Sequence, residues 1–378
     1  VTRSLLRQFG QTTVINDLDK MLRQMYEFLA AVIRPDRTFP QLNDGFILWD
    51  AERLGEIANV SGWHDIEYIA SGGSVGSEPD FCSQSFPNAG FHIMRSDWGN
   101  DARYLIADTG PYGGPHGHED KLSFEAFAYG APFIVDPGSY TYDSRDKFRD
   151  YFVGSSGHNT VLVDGKSQIR RWVDSHMVPA VHDTSHGWWA SNDVCDFASG
   201  QYDEGYADFT LLRLAGVSPE RDVVHRRDFV FAKPDYWVIV DHLSATRMHD
   251  YSFLFHLAPD VVVDNRDGTS AILRSKANDA RMVLKALIDD DIEVTVVVGE
   301  ESPIQGWYSP DHHRKCPAPT VEFKVSGAST LRVPWLLFPL PAGEDPLNVR
   351  VISSQSELAQ GNEFVISHDQ KRDTFRVD

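Results

Sequence analysis

The sequence predicts a mainly β protein, a large antiparallel β-sandwich preceded by a short α-helical segment. Three observations carry this. Period-two alternation of apolar residues begins near Phe91 and recurs toward the C-terminus. Long helical patterns do not alternate with those strands, which argues against a parallel βαβ sheet. Helical spacing is confined to residues 1–75. The expected division is therefore a helical segment over 1–75 and a sandwich over 76–378.

Leu18, Met21, Leu22, Met25, Leu29 and Ile33 follow the spacing of an amphipathic helix. Asn16 or Asp17 offers an N-cap, and the helix should stop before Pro35. Shorter helices are expected near Asp50–Asn59 and His64–Ala70. Residues 71–90 hold Gly72, Gly73, Gly76 and Pro79 and read as a linker. The clearest strands are Tyr104–Asp108, Val161–Val163, Asp228–Ala232, Trp237–Asp241, Ser252–Leu257, Ala271–Arg274 and Ile292–Val298, each bounded by turn formers.

The 378 residues are 42% hydrophobic and 24% charged, a globular composition with ample core material. The formal charge of −20 argues against binding nucleic acid or an anionic membrane surface. A polyanionic substrate would need a local cluster of His, Arg and Lys. Three widely spaced cysteines, Cys82, Cys195 and Cys316, make neither a disulfide framework nor a CxxC metal site. No apolar run reaches transmembrane length. The chain starts at Val1 without a visible signal peptide, so a processed or truncated product is expected.

The chemistry concentrates in residues 105–165. His116 and His118 follow the glycine-rich exit of the Tyr104–Asp108 strand. At i, i+2 in an extended segment they point to one face. Asp136 ends a second strand before Pro137-Gly138, and His158 precedes a third. Two imidazoles and a carboxylate are ligand types that Zn²⁺ accepts with a position left open. Arg145 and Arg149 lie between them and could bind carboxylate or sulfate through a guanidinium fork. His312-His313, beside Arg314 and Lys315, could line a cleft for an anionic sugar. His182, His186, His225, His242 and His256 read as structural or surface residues.

Residues 116–142 (HGHEDKLSFEAFAYGAPFIVDPGSYTY) and 157–168 (GHNTVLVDGKSQ) resemble the signature of the heparinase II/III-like polysaccharide lyases. RRDFVFAKPDYWVIVDHL at 226–243 and FHLAPD at 255–260 are similar too, and TFPQLNDG at 38–45 resembles the closing helices of that family's (α/α) toroid. The resemblance implies zinc on His118, Asp136 and His158, with His116 facing substrate. It implies an active-site tyrosine in the intervening loop, for which Tyr142 and Tyr140 are the candidates. The implied reaction is β-elimination on a uronic acid unit. A base takes the C5 proton and an acid protonates the oxygen leaving C4. The zinc would be structural, with Asn159, Glu119 or Asp120 orienting its ligands. The partner is an anionic polysaccharide, the setting secreted or periplasmic, and a homo-oligomer is possible. Only about three helices precede the sheet, so much of the toroid is missing. A fragment of a longer lyase, a partner half on another chain and a lost activity are the alternatives.

Two rival readings remain. A non-catalytic, zinc-stabilised carbohydrate-binding domain would use Trp172, Trp188, Trp189 and Trp307 to stack on sugars. An Fe(II) oxygenase would use His118, Asp120 and His158 as a facial triad, with Arg170 or Arg171 following.

Overall fold

A computed structural model describes residues 9, 12–45, 50–112, 116–169, 187–208, 219–288, 292–355, 362–368 and 371–377. Helix α1 (Thr12–Val32) starts ahead of the expected Asn16 or Asp17 cap, because Ile15 continues the apolar face and is buried. Helix α2 (Ala51–Ser61) is capped by Asp50, whose side chain accepts from the Arg53 amide at 2.8 Å. Helix α3 (His64–Ser71) ends on Gly72, whose φ of 66° is left-handed.

The helices are tied to the strands rather than standing apart. Ala30 and Ile33 pack on Leu54, Ala58, Ile66 and Ile69. Ala31 and Val32 face Ile93, Tyr104, Ile106 and Phe127 of the first sheet. Each Leu, Ile or Val among them contributes about 2 kcal/mol on burial. The C-terminal carbonyls of α1 are met from the sheet. The Tyr104 hydroxyl donates to Val32 O at 2.7 Å, and the buried Arg95 guanidinium donates to Ile33 O. This clamp fixes where the following loop, residues 34–45, crosses the sheet.

The first sheet runs β1 (Gln84–Phe86), β2 (Phe91–Arg95), β3 (Tyr104–Asp108), β4 (Phe124–Ala128) and β5 (Ala131–Ile134), antiparallel in chain order. The expected linker over 71–90 thus already contains a short strand. After helix α4 (Lys147–Val153) come β6 (Val161–Val163), β7 (Ser167–Gln168), β8 (Trp188–Ser191), β9 (Cys195–Tyr202), β10 (Tyr206–Ala207) and β11 (Val224–Ala232). Strand β12 (Tyr236–His256) joins the expected strands at 237–241 and 252–257 into one. Its polar middle is accommodated by register shifts between Ser244 and Tyr251. Beyond it lie β13 (Val261–Asp267), β14 (Ser270–Ser275), β15 (Arg281–Ala286), β16 (Glu293–Val298), and the small hairpins β17 (Glu300–Glu301) with β18 (Ile304–Gln305) and β19 (Trp307–Asp311) with β20 (Arg314–Pro317). Strand β21 (Pro319–Leu340) pairs with β12 through the centre of the second sheet, although Gly327 and Pro334 read as breakers. Strands β22 (Arg350–Gln355), β23 (Asn362–His368) and β24 (Lys371–Val377) close the chain as a third sheet.

The two large sheets face each other. Leu105, Phe124 and Phe133 from the first share a cluster with Phe229, Phe253 and Trp335 from the second. On β12 and β21 the alternate residues Tyr236, Val238, Leu336 and Phe338 face outward, and the third sheet covers them with Phe364 and Ile366. With both faces buried, these strands carry near-continuous apolar runs. The mainly β sandwich with a helical preface is the observed fold.

Candidate active site and metal centre

Four loops converge at one edge of the sandwich. The first leaves β3 and carries His116 to Asp120. Leu122 closes it, donating its amide to Asp108 O at 2.7 Å. The second leaves β5 at Asp136 and turns at Gly138, where φ is 81° and a Cβ would meet Ser309 O at 2.7 Å. The third, after α4, presents His158. The fourth is the 34–45 loop from the helical segment.

His118 and His158 are fully buried, with ring centroids 5.2 Å apart. Each leans on a carboxylate. His118 Nε2 lies 3.0 Å from Asp44 Oδ1, and His158 Nδ1 lies 2.9 Å from Asp136 Oδ2. The remaining ring nitrogens are Nδ1 of His118 and Nε2 of His158. The latter is buried with no hydrogen-bond partner among the described residues. Asp120, also buried, completes the set: one ligand atom from each of His118, Asp120 and His158 lies within 4.8 Å of the others. Two imidazoles and a carboxylate, one imidazole holding an orphaned nitrogen, fit a divalent ion. Asp136 contacts His158 from the far nitrogen, the place of an orienting carboxylate. Burial presses His118 toward the neutral form that a metal needs, against the pull of Asp44.

Asp44 is the hub. Besides His118 it meets His116 Nδ1 at 3.2 Å, the Ser139 hydroxyl at 2.7 Å and the Arg149 guanidinium at 2.9 and 3.3 Å. Burial works to raise its carboxyl, but the bonds from His118, Arg149 and Ser139 outweigh it and hold it far below the usual range. Neighbouring Asn43, at φ 57°, accepts from the His118 amide at 3.1 Å. Neither residue was expected in the site. Their sequence signals are the turn chemistry of Asn43-Asp44-Gly45 and their place in the family-like stretch 38–45, neither of which names a partner.

The expected substrate-facing residues separate into two groups. His116 has a side chain 75% exposed. Its Nε2 has no protein partner among the described residues, and Tyr142 stands edge-on at 6.0 Å. Tyr142 is itself exposed, with Arg149 5.3 Å beneath its ring and His312 5.6 Å away. Burial and the Asp44 charge raise the Tyr142 phenol. Tyr140 instead packs on Phe148 and Phe152, away from His116. Arg149 is buried and engaged by Asp44, whereas Arg145 reaches into solvent and pairs with its neighbour Asp143 at 3.0 Å.

Behind the site stands a buried network. Arg227 pairs with Asp241 at 2.7 and 3.0 Å and donates to Leu122 O at 2.8 Å and Asn159 O at 2.6 Å. One guanidinium thereby ties the His118 loop and the His158 loop to the second sheet. Asn159 donates to Phe124 O and Val135 O and accepts from the His256 amide, pinning three strands beside His158. His225 and His256 are buried in this scaffold, as expected of structural histidines. Arg170, Arg171, Trp172, His182 and His186 lie outside the described residues. Trp189 stacks on His92, and Trp307 packs on Phe148.

Residues 78–336 match the family model described as "Heparinase II/III-like, C-terminal". A heparin-sulfate lyase of Bacteroides stercoris is 23% identical over 253 residues, which is 65% of this chain and 34% of that protein. Among solved structures, the heparan sulfate lyase HepC of Pedobacter heparinus superposes with a TM-score of 0.76 at 17% identity, covering 98% of this chain and 56% of that one. A heparinase III structure gives 0.72 at 15% identity, covering 99% and 57%. The chain therefore spans about a third of the curated relative and somewhat over half of these solved structures.

Proposed function

This chain belongs to the heparinase II/III-like family, and on that premise we propose that it is a polysaccharide lyase. Its reaction is β-elimination on a uronic-acid-containing polysaccharide, outside the cytoplasm, at a site organised by a zinc ion. The supporting observation is the pairing of exposed His116, fixed through Nδ1 by Asp44, with Tyr142 edge-on beside it.

Asp44 on Nδ1 leaves Nε2 of His116 as the atom that takes the C5 proton. The Tyr142 phenol, raised by burial and Asp44, stays protonated and suits donation to the oxygen leaving C4. Arg149, beneath Tyr142, holds Asp44 and thereby both histidines. Zn²⁺ would be held by His118 and His158 with Asp120 or Asp136, and would supply a fixed charge that crosslinks the His118 and His158 loops. The same residue types suit Fe(II), but the family match over 78–336 favours the lyase.

The test is absorbance of the unsaturated product with alginate, heparan sulfate and hyaluronan as substrates. Product with one of them, lost in His116→Ala, is expected. Binding without product would favour the non-catalytic carbohydrate-binding domain, and neither binding nor product would end the reading.

A further inference from the structure

Lys315 sits at the rim of this site in an unusual setting. Its ammonium lies over three aromatic rings at once, 4.1 Å from the Phe148 centroid, 4.9 Å from Tyr140 and 5.3 Å from Trp307. Cation–π attraction within about 6 Å holds it there. Glu301, an acid close enough to feel Lys315, is instead paired with Lys147 at 2.6 Å. Among the described residues neither Lys315 nor Arg314 forms an ion pair, in a chain of net charge −20.

The hairpin of β19 and β20 that carries Lys315 is fastened to the catalytic loop. His313 has a left-handed φ of 57°, and its amide donates at 2.7 Å to the carbonyl of Tyr140, itself at φ 60°. Two non-glycine residues held so against preference point to a constraint beyond folding. The Ser309 amide donates to Pro137 O at 2.8 Å, and Gln41 Nε2 to Pro310 O at 3.2 Å. Ring contacts then run unbroken from His116 through Tyr142, His312 (5.6 Å) and His313 (3.9 Å) to Tyr140.

We propose that Lys315, with His313 and Arg314 on the same hairpin, forms a subsite for an anionic substituent of the polysaccharide, sulfo or carboxylate. The substituent sits on a unit adjacent to the one that His116 and Tyr142 act on. The inference rests on the lyase reading. Arg145 and Arg149 must surrender a carboxylate before binding an anion, whereas Lys315 has none to surrender. The rings hold its ammonium in place, so little freedom is lost on binding.

Calorimetric titration of the 378-residue chain tests this, with size-defined oligosaccharides of heparan sulfate, of the same chain desulfated, and of alginate. Lys315→Met keeps the apolar stem under the rings and removes the charge; Lys315→Arg keeps the charge. Lys315→Met is expected to weaken binding roughly five- to tenfold and to flatten the salt dependence, with Lys315→Arg restoring both. A larger loss on the sulfated chain identifies a sulfo group, and an equal loss on both identifies the carboxylate. Unchanged affinity and salt slope in Lys315→Met, with the unsubstituted chain binding, would overturn the subsite alone. No binding of any oligosaccharide by the unsubstituted chain would overturn the subsite and the lyase reading together.

Discussion

Asp44 and His118 are 74 residues apart in the chain and 3.0 Å apart in space, carboxylate Oδ1 to ring Nε2. The bond joins the helical segment to the β-sandwich at the centre of the site. It fixes Nε2 of His118 on the carboxylate, so that Nδ1 is the nitrogen that would face an ion, and the same carboxylate steadies His116.

Asp44→Ala should therefore act on stability and activity together. It leaves the buried Arg149 guanidinium without its counter-charge, a loss of roughly 3 kcal/mol. Chemical denaturation monitored by tryptophan fluorescence measures it. Asp44→Asn keeps the shape but loses the same counter-charge, so it should lose stability on a similar scale while lowering kcat about a hundredfold. A fully active Asp44→Asn would show that orientation of His116 does not matter.

Two carboxylates compete for the place of third metal ligand, and substitution separates them. Asp120→Asn should abolish tight zinc binding if its oxygen is a ligand. Asp136→Asn should weaken it about 10- to 100-fold through His158. Metal content after dialysis, by elemental mass spectrometry, reads both. The reverse ranking would make Asp136 the ligand. Chelation should lower the melting temperature of the unsubstituted chain, since an ion held by native loops stabilises them.

The two loop tyrosines should differ sharply. Tyr142→Phe removes the hydroxyl beside His116 and is expected to lower kcat about 100-fold or more with KM little changed. Tyr140→Phe, set among Phe148, Phe152 and Lys315, should keep kcat within about threefold. Equal losses would contradict the assignment of the acid.

Buried His92 sets an acid limit on stability. Burial depresses its pKa from 6.5 to about 4. The unfolded chain then binds the proton more readily, so stability is full above pH 6.5 and falls as pH drops toward 4, by about 3 kcal/mol at most. The hydrogen bonds to Ser85 and Thr109 are kept by the neutral ring. His92→Gln should flatten that stretch of the stability–pH curve, and an unchanged slope in urea titrations across that range would refute the role.

The sandwich and the neighbourhood of the site are legible in the local pattern of the chain. Alternation on β11 is imposed by one sheet face that must be buried, and the short apolar runs of β3 and of both ends of β12 by burial on two faces; local pattern reports both directly. The long strand β21 escaped that reading because Pro334 and Gly327 interrupt a run whose burial depends on partners on both faces. Likewise His116, His118, Asp136 and His158 stand out by residue type and spacing. What each of them touches follows from packing in three dimensions. Asp120 joins the two histidines, Asp136 backs one of them, Arg149 serves Asp44 rather than a ligand, and Asp44 itself comes from a turn outside the sandwich. Hydrogen-bond partnership is a property of positions in space. No period along the chain encodes that a loop after α1, clamped by Tyr104 and Arg95, must end beside a loop after β3.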